Sequence, residues 1–222
     1  MKPLACVILA AGEGSRMKSE RPKPLHEVAG RSLIDHVVGT ATALDPDRCI
    51  VVVGVGRQQV EAELPDDITV AVQEKQLGTG HAVMAAQTQL EAFQGDVLVM
   101  LVDAPLIQAE TLTGLLEKHR TSGAAATMLT TVLEDPHGYG RVVRADDDSV
   151  AAVVEQRDAD EDIRQIQEIN TGVLCFRAEL LREALGHIDD DNAQRQYYLP
   201  DTLEWLNEKG HTVGAMTVPD AD

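Results

Sequence analysis

Aromatic residues and long hydrophobic runs are both scarce in this sequence. Only 3% of its 222 residues are Phe, Trp or Tyr although 44% are hydrophobic, so aliphatic side chains and alanine must build the core. No apolar run is long enough to span a bilayer as a helix, and the N-terminal region has no signal-peptide pattern. We therefore expect a cytoplasmic location and no membrane partner.

Cysteine is almost absent as well. The three cysteines are Cys6, Cys49 and Cys175, and each lies in or beside an apolar run typical of a strand. An odd number at wide spacing excludes a disulfide framework, and no Cys-x-x-Cys metal site is present. The sequence predicts buried, reduced thiols.

Positively charged residues are few compared with negatively charged ones. The 37 Asp and Glu residues outnumber the 19 Lys and Arg residues, and the formal net charge of −18 disfavours a nucleic-acid partner. A small anionic substrate is still compatible, because Arg16, Arg21 and Lys23 concentrate positive charge in one stretch. Acidic clusters lie at 146–148, 158–162 and 189–191. They are either ordinary solvated loops or a sign of a protein that works at high salt, where repulsion between surface charges is screened.

A loop of small residues, 9–17, directly follows an apolar run that is predicted to be the first strand. Small residues let the backbone approach a ligand closely, and successive backbone N–H groups can point at phosphate oxygens. Arg16 and Lys23 can then neutralise the phosphate charge. We predict a nucleoside-triphosphate loop at the carboxyl end of this strand. The alternative is an ordinary glycine-containing turn, because the spacing is neither that of a P-loop nor that of a dinucleotide site.

Strand and helix patterns alternate through the first half of the chain. Strands are predicted at 4–10, 50–53, 68–72 and 97–102, and helices at 33–44 after a Ser32 cap, 58–64, 79–90 and 111–119. After Gly123 strands dominate, at 124–132, 141–144, 150–154 and 172–176, with helices at 178–185 and 198–209. This order predicts an α/β fold. We expect a mostly parallel, mixed sheet with helices on both faces, a small strand-rich lobe, and a substrate cleft between the two.

Two further segments carry candidate ligand-binding side chains. Asp103 ends the apolar run 97–102, a position that suits either a Mg²⁺ ligand or a turn cap. Gln73 follows the third strand, and its amide has the donor and acceptor to pair with the edge of a pyrimidine base. Gly78 permits close approach, and Thr79 could cap the next helix.

Together these segments resemble the uridyltransferase domain of bacterial N-acetylglucosamine-1-phosphate uridyltransferases, which are nucleotide-diphospho-sugar transferases. The shared motifs are Leu-Ala-Ala-Gly-x-Gly-x-Arg-Met at 9–17, Pro-Lys-x-Leu-His at 22–26, Gln-Leu-Gly-Thr-Gly-His-Ala at 76–82, Asp-x-Pro-Leu at 103–106, Gly-Tyr-Gly-Arg at 138–141, Gln-Ile-Gln-Glu-Ile-Asn-Thr-Gly at 165–172 and Asn-Ala-Gln-x-x-Tyr-Tyr at 192–198. They occur in order and span nearly the whole chain. The first motif is shared by many sugar nucleotidyltransferases, whereas those at 76–82 and 165–172 are far more specific.

The resemblance implies a reaction in which UTP and N-acetylglucosamine 1-phosphate give UDP-N-acetylglucosamine and pyrophosphate with Mg²⁺. It assigns Arg16 and Lys23 to catalysis and Asp103 to the metal. The implied nucleotide-binding residues are Leu9, Ala10, Ala11, Gly12, Gln73, Gly78 and Thr79, and the implied sugar-binding residues are Gly140, Glu155 and Asn170, with Thr79 also near the sugar. It also divides one domain into a nucleotide-binding half, about 1–122, and a sugar-binding half, about 123–222.

The sequence departs from the family pattern in three places. Leu101 and Val102 stand where the family has Tyr-Gly, which leaves the choice of sugar open. The family's second metal ligand is an asparagine beyond the strand near 212–218, and the sequence ends at Asp222. Either water takes the place of this ligand, or the sequence is a piece of a longer chain. The family's C-terminal acetyltransferase domain is not in this sequence, so no acetyl transfer is expected. Three alternatives therefore stay open: another sugar 1-phosphate, another nucleotide, or a binding module without turnover.

Overall fold

A computed structural model describes residues 2–14 and 17–219 of the chain. The predicted catalytic residue Arg16 lies outside these residues. The strands are β1 (Leu4–Ala10), β2 (Glu27–Val28), β3 (Arg31–Ser32), β4 (Arg48–Val53), β5 (Thr69–Val72), β6 (Asp96–Leu101), β7 (Ala126–Val132), β8 (Arg141–Arg144), β9 (Val150–Val154), β10 (Glu168–Arg177) and β11 (Val213–Val218). The helices are α1 (Leu33–Thr42), α2 (Arg57–Glu61), α3 (Thr79–Ala85), α4 (Ala109–Ser122), α5 (Glu161–Arg164), α6 (Ala178–Leu185) and α7 (Asp201–Glu208), and Lys23–Leu25 and Thr88–Leu90 form short 3₁₀ turns.

One nine-stranded sheet organises the fold, in the order β11-β7-β10-β6-β1-β4-β5 with the β8–β9 hairpin attached to β10. Strands β5, β4, β1 and β6 run parallel, and β11 runs parallel to β7. Strand β10 is antiparallel to both of its neighbours, β6 and β7. The predicted mostly parallel, mixed sheet is therefore confirmed.

Strand β1 lies at the centre of the parallel part and is buried along its whole length. Its sequence, LACVILA, has no polar residue, as expected for a parallel strand covered on both faces. Ala5, Val7 and Leu9 face one hydrophobic cluster, which is covered by α3, α6 and α7. Cys6 and Ile8 face the other, which is covered by α1 and α4. Helices on both faces are thus confirmed.

The helix α1 begins as the sequence indicates. The Ser32 side chain accepts a hydrogen bond from the backbone N–H of Asp35 at 3.3 Å, which satisfies one of the unpaired donors of the first turn. By contrast, the helix predicted at 79–90 ends at Ala85 and is followed by a separate 3₁₀ turn. Alanine-rich sequence favours helix, but this segment has no feature that marks its break.

The three cysteines are free thiols, as predicted, and burial is complete only for Cys6 and Cys175. Cys49 is half-buried, and burial raises the pKa of its thiol to about 11. A thiol with such a pKa carries almost no thiolate at neutral pH and is unreactive. In the described ranges, 2–14 and 17–219, no helix has the length and apolar character needed to cross a membrane.

Candidate active site

A cleft of about 630 Å³ opens at the carboxyl ends of the parallel strands. Open α/β sheets bind their ligands at this edge. Of the residues predicted from the sequence, the cleft is lined by Leu9, Ala11, Gly12, Lys23, Gln73, Gly78, Thr79 and Asp103. Ala10 does not line it, because its side chain is fully buried in the cluster under α1. Any contact of Ala10 with a ligand would have to come from its backbone.

The loop after β1 presents its backbone to the cleft. Nothing lies within 4 Å of the position that a Cβ atom on Gly12 would occupy, so this stretch is open. Gly14 has a φ of +62°, and a Cβ atom on it would lie 2.7 Å from Cβ of Lys23. Glycine is therefore needed at position 14 both for the left-handed backbone and for the approach of Lys23.

Lys23 and Asp103 form an ion pair at the mouth of the cleft. Lys23 is held by the 3₁₀ turn Lys23–Leu25, which begins after Pro22 and buries Pro24 and Leu25. Asp103 lies two residues beyond the end of β6. The Lys23 ammonium donates to Oδ2 of Asp103, and both side chains remain partly exposed. A cation and a carboxylate thus meet beside the glycine loop.

Gln73 is 3% exposed and lies in the floor of the cleft. Its Nε2 group donates to the Gly78 carbonyl at 3.1 Å and lies 3.0 Å from Nδ1 of His81. These two contacts orient the amide, with Nε2 as the donor to the protein. Its Oε1 atom receives no hydrogen bond from the described residues and can accept one from a ligand.

A segment near the C-terminus, residues 192–199, completes the cleft, and we call it the Tyr197 segment. The Tyr197 carbonyl accepts a hydrogen bond from Gly80 N–H at 2.8 Å, and the Tyr197 N–H donates to the Leu77 carbonyl at 2.8 Å. A Cβ atom on Gly78 would lie 2.5 Å from the Tyr197 carbonyl oxygen, so glycine is required there. Gln196 lines the cleft itself. It was not predicted from the sequence, although its motif was recognised.

The Tyr197 segment also provides the hydrogen-bond partner of the Thr79 side chain. The helix α3 is capped by Gly78, with a φ of 109° and no side-chain hydrogen bond, so the expectation that Thr79 caps the helix is wrong. Instead, Thr79 is the first helical residue, and its Oγ1 atom accepts a hydrogen bond from Leu199 N–H at 2.9 Å. Its hydroxyl joins α3 to the C-terminal part of the chain while still lining the cleft.

The three predicted sugar-binding residues lie together, outside the lining of the 630 Å³ cleft. Asn170 N–H donates to the Gly140 carbonyl at 2.9 Å, and its side-chain Oδ1 accepts from Gly172 N–H at 2.9 Å. A Cβ atom on Gly140 would lie 2.9 Å from Oε1 of Glu155. The antiparallel pairing of β8 with β10 brings these residues together.

Leu101 connects this group to the cleft. It is the last residue of β6 and lines the cleft beside Val102. A Cβ atom on Gly172 would lie 2.2 Å from Cδ1 of Leu101, and Gly172 has a φ of +81°. The sheet register shifts at this point, between Asn170 and Leu174 of β10. The bulge and the glycine together let β10 pass over the Leu101 side chain.

Glu155 also lines a second cavity, of about 470 Å³, which carries seven carboxylates. They are Glu155, Asp158, Asp189, Asp191, Asp201, Glu204 and Glu208. Burial and the neighbouring carboxylates raise the pKa of Asp201 to about 7. Burial and the charge of Asp158 raise the pKa of Glu155, and the charge of Arg141 opposes this rise. Carboxylates that face one another in this way disfavour their own ionisation.

Among the described residues that line the cleft, two carry a carboxylate, Glu13 and Asp103, and Asp103 is the one that lies at the end of β6 beside Lys23. Among residues 2–14 and 17–219, no group of three or more His, Cys, Asp or Glu side chains is arranged to hold a metal ion. Mg²⁺ bound with a nucleotide does not need such a group, because one or two carboxylates, waters and phosphate oxygens complete its shell. Asp103 therefore fits a Mg²⁺ ion that is shared with a triphosphate.

The fold defines the class of protein. The chain is similar in structure to UDP-glucose pyrophosphorylase complexed with UDP-glucose, with a TM-score of 0.79 over 97% of this chain and 91% of that one. Their sequence identity is 15%, so the likeness shows the fold, which is that of the nucleotide-diphospho-sugar transferases. The predicted fold class is thereby confirmed.

The sequence defines the family. The pattern of the MobA-like NTP transferase domain matches residues 6–199, and the chain belongs to this family. It is similar to the proteins named bifunctional protein GlmU of Oceanobacillus iheyensis (48% identity), Corynebacterium aurimucosum (47%) and Geobacillus thermodenitrificans (47%). These alignments cover 97%, 98% and 97% of this chain but 48%, 46% and 47% of the relatives. The chain thus spans about half the length of the curated relatives it matches. The resemblance recognised in the sequence is confirmed, and the chain is a nucleotidyltransferase of the sugar-nucleotide family.

Proposed function

We propose that this protein transfers a uridylyl group from UTP to N-acetylglucosamine 1-phosphate, with Mg²⁺, and releases pyrophosphate. The observation that carries the proposal is the meeting of Gln73, Lys23 and Asp103 in one cleft at the carboxyl ends of the sheet. Such a reaction needs a side chain that recognises the nucleobase, a cation that binds the phosphates and a carboxylate that binds the metal. The similarity to proteins named GlmU supports the choice of substrates.

The orientation of the Gln73 amide supports uracil as the base. Nε2 is engaged by the Gly78 carbonyl, so Oε1 is the atom that faces a ligand as an acceptor. Uracil offers an N–H donor at N3, whereas cytosine offers an acceptor at the same position. Two acceptors that face each other leave a polar group unpaired, and this penalty favours UTP over CTP.

Lys23 and Asp103 support the chemistry at the phosphates. A sugar-phosphate oxygen attacks the α-phosphorus in line, and because this nucleophile is already an anion, no general base is required. Bound Mg²⁺ would supply Lewis-acid stabilisation of the phosphate oxygens, with Asp103 as its protein ligand. Lys23 would hold the triphosphate and the departing pyrophosphate through its ammonium. The same role for Arg16 stays a prediction.

The sugar is assigned to Gly140, Glu155 and Asn170, with Thr79 nearby. Asn170 uses its Oδ1 atom within the protein, which leaves its Nδ2 group as a donor to a sugar or acetamido oxygen. The Glu155 carboxylate makes no hydrogen bond among the described residues, so it can accept from a sugar hydroxyl. Leu101 and Val102 both line the cleft, and Leu101 lies against Gly172 on the strand that carries Asn170, so a different sugar 1-phosphate remains the second candidate.

The test is Mg²⁺-dependent pyrophosphate release from UTP with N-acetylglucosamine 1-phosphate, beside glucose 1-phosphate and the other nucleoside triphosphates, at low and at high KCl. Release only with UTP and the N-acetylated sugar is the expected result. Release with a different pair would change the assigned substrates but support the same type of reaction. UTP binding without product from any pair would show a nucleotide-binding module instead. A cytoplasmic location and the absence of nucleic-acid and membrane partners stay predictions.

A further inference from the structure

Arg141 is an unusual side chain in this fold because its charge is buried without an ion pair. The residue is 2% exposed and is the largest of the fully buried side chains. No carboxylate within the described part of the chain forms a salt bridge with it, and its Nε atom has no hydrogen-bond partner. Burying a charge without an ion pair is costly unless hydrogen bonds compensate it, so the partners of the guanidinium matter.

The side-chain hydrogen bonds of Arg141 among the described residues go to the loop that carries Gly140 and to the residue after Glu155. Its Nη1 group donates to the Tyr139 carbonyl, and its Nη2 group donates to Oε1 of Gln156 at 2.8 Å. The same Oε1 atom accepts a hydrogen bond from Gly138 N–H at 3.0 Å. Arg141 and Gln156 therefore clamp the loop 138–140 against the end of β9.

The clamp fixes the spacing of the three predicted sugar-binding residues. Gly140, which precedes Arg141, accepts a hydrogen bond from Asn170 N–H, and Arg141 itself pairs with Ile169 across β8 and β10. Glu155 precedes Gln156 and lies against Gly140. The three residues lie on or directly beside the paired strands β8, β9 and β10, and the guanidinium adds a side-chain link between the loop before β8 and the end of β9.

The positive charge of Arg141 also affects the ionisation of Glu155, one of the three predicted sugar-binding residues. Burial and Asp158 raise the pKa of Glu155, and Arg141 is the positive group that opposes them. From the contacts of its guanidinium, we propose that Arg141 is a positioning residue for the sugar 1-phosphate. It touches no substrate, and it holds Gly140, Glu155 and Asn170 at the spacing that the sugar requires. The inference rests on the proposed function and names the residue that builds its sugar side.

The test compares Arg141→Gln and Gln156→Ala with the control Arg144→Gln. Arg144 stands at the other end of β8, where its side chain pairs with Glu168 at 2.6 Å, away from the clamp. Gln156→Ala breaks the clamp without removing the buried charge. It therefore tests the inference even if Arg141→Gln does not fold. For each protein the KM of the sugar 1-phosphate, the KM of UTP and kcat are measured, and a melting curve confirms folding.

We expect the KM of the sugar 1-phosphate to rise roughly tenfold or more in Arg141→Gln and Gln156→Ala, as misplacement of a binding group produces. The KM of UTP should stay at the wild-type value, and Arg144→Gln should leave both unchanged. An unchanged KM of the sugar 1-phosphate in the clamp variants, or an equal rise in the KM of both substrates, overturns the inference about Arg141. The proposed function still stands in that case as long as the wild-type protein turns over. Absence of wild-type turnover with any sugar 1-phosphate overturns both.

Discussion

Lys23 and Asp103 are 80 residues apart in the sequence, and their side chains form an ion pair at the mouth of the cleft. Lys23 comes from the turn after the glycine loop, and Asp103 comes from the end of β6. Their side chains are 21% and 40% exposed, so the pair contributes only about 0–1 kcal/mol to folding. Each partner can therefore exchange the other for a substrate group at little cost in stability.

Replacement of Lys23 by alanine tests its role at the phosphates. We expect kcat to fall by about 10²–10³, the loss typical when one group that stabilises transition-state charge is removed. The melting temperature should hardly change, because the ion pair is partly exposed. Arg57→Ala is the matched control, since it breaks the exposed Arg57–Glu61 pair away from the cleft. Normal turnover in Lys23→Ala would remove Lys23 from the chemistry.

Replacement of Asp103 by alanine tests the metal site. Mg²⁺-dependent turnover should be lost while the far-UV circular dichroism spectrum stays that of the wild type. The second readout is Mn²⁺ binding in the presence of UTP, followed by electron paramagnetic resonance, which should weaken. Asp35→Ala, which breaks the exposed pair with Arg31, is the control. Near-normal activity together with unchanged Mn²⁺ binding would exclude Asp103 as the metal ligand.

Gln73 should determine the preference for uracil. Gln73→Ala removes the Oε1 acceptor, and the ratio of kcat/KM for UTP over CTP should fall by about tenfold or more, the scale set by one unpaired polar group. Gln87→Ala, at an exposed position beyond α3, is the control. An unchanged ratio would mean that the base is read by other groups.

The second cavity makes a prediction about pH. The pKa of Asp201 rises from 3.8 in the unfolded chain to about 7 in the folded protein, so the folded state binds the extra proton. Its contribution to stability is complete below the lower value and is lost as the pH rises through about 7. Asp201→Asn should therefore raise the urea midpoint at about pH 8 and leave it almost unchanged at about pH 4. Equal shifts at both pH values would contradict the assigned pKa.

The acidic surface makes a prediction about salt. With a formal net charge of −18, repulsion between carboxylates opposes folding, and salt screens it. The melting temperature should rise from low to molar KCl. At about pH 8, where Asp201 is ionised, the Asp201→Asn variant should show a smaller rise, since one of the facing carboxylates has been removed. A melting temperature that does not rise with KCl would rule out adaptation to high salt.

The sequence predicted the parallel part of the sheet well, because its strands are short apolar runs that end in polar or glycine-rich loops. Eight of the residues named from the sequence line the cleft, since carboxyl ends of parallel strands meet at one edge, whereas Ala10 does not line it and Gln196 was not predicted. The helix break after Ala85 was missed because nothing local marks it. The short helix α5 and the β2–β3 hairpin were missed because both lack an apolar periodicity.

The long-range contacts of the site could not be predicted from local patterns. The clamp between Arg141 and Gln156, and the hydrogen bond from Leu199 to Thr79, join residues that only the folded sheet brings together. Gly78 gave a signal of close approach, but the group that approaches it, the Tyr197 backbone, is more than a hundred residues away in the sequence. Glycine shows that space is needed and not what fills it.

The hydrogen bonds between the Tyr197 segment and α3 have a consequence for biosynthesis. Lys23, Gln73 and Asp103 all leave the ribosome early, but the backbone that holds Gly78 leaves only with residue 197. Affinity for nucleotide should consequently appear late in translation, after most of the sheet is already available. A nascent chain stalled before this segment should therefore bind UTP more weakly than the same chain extended past residue 199.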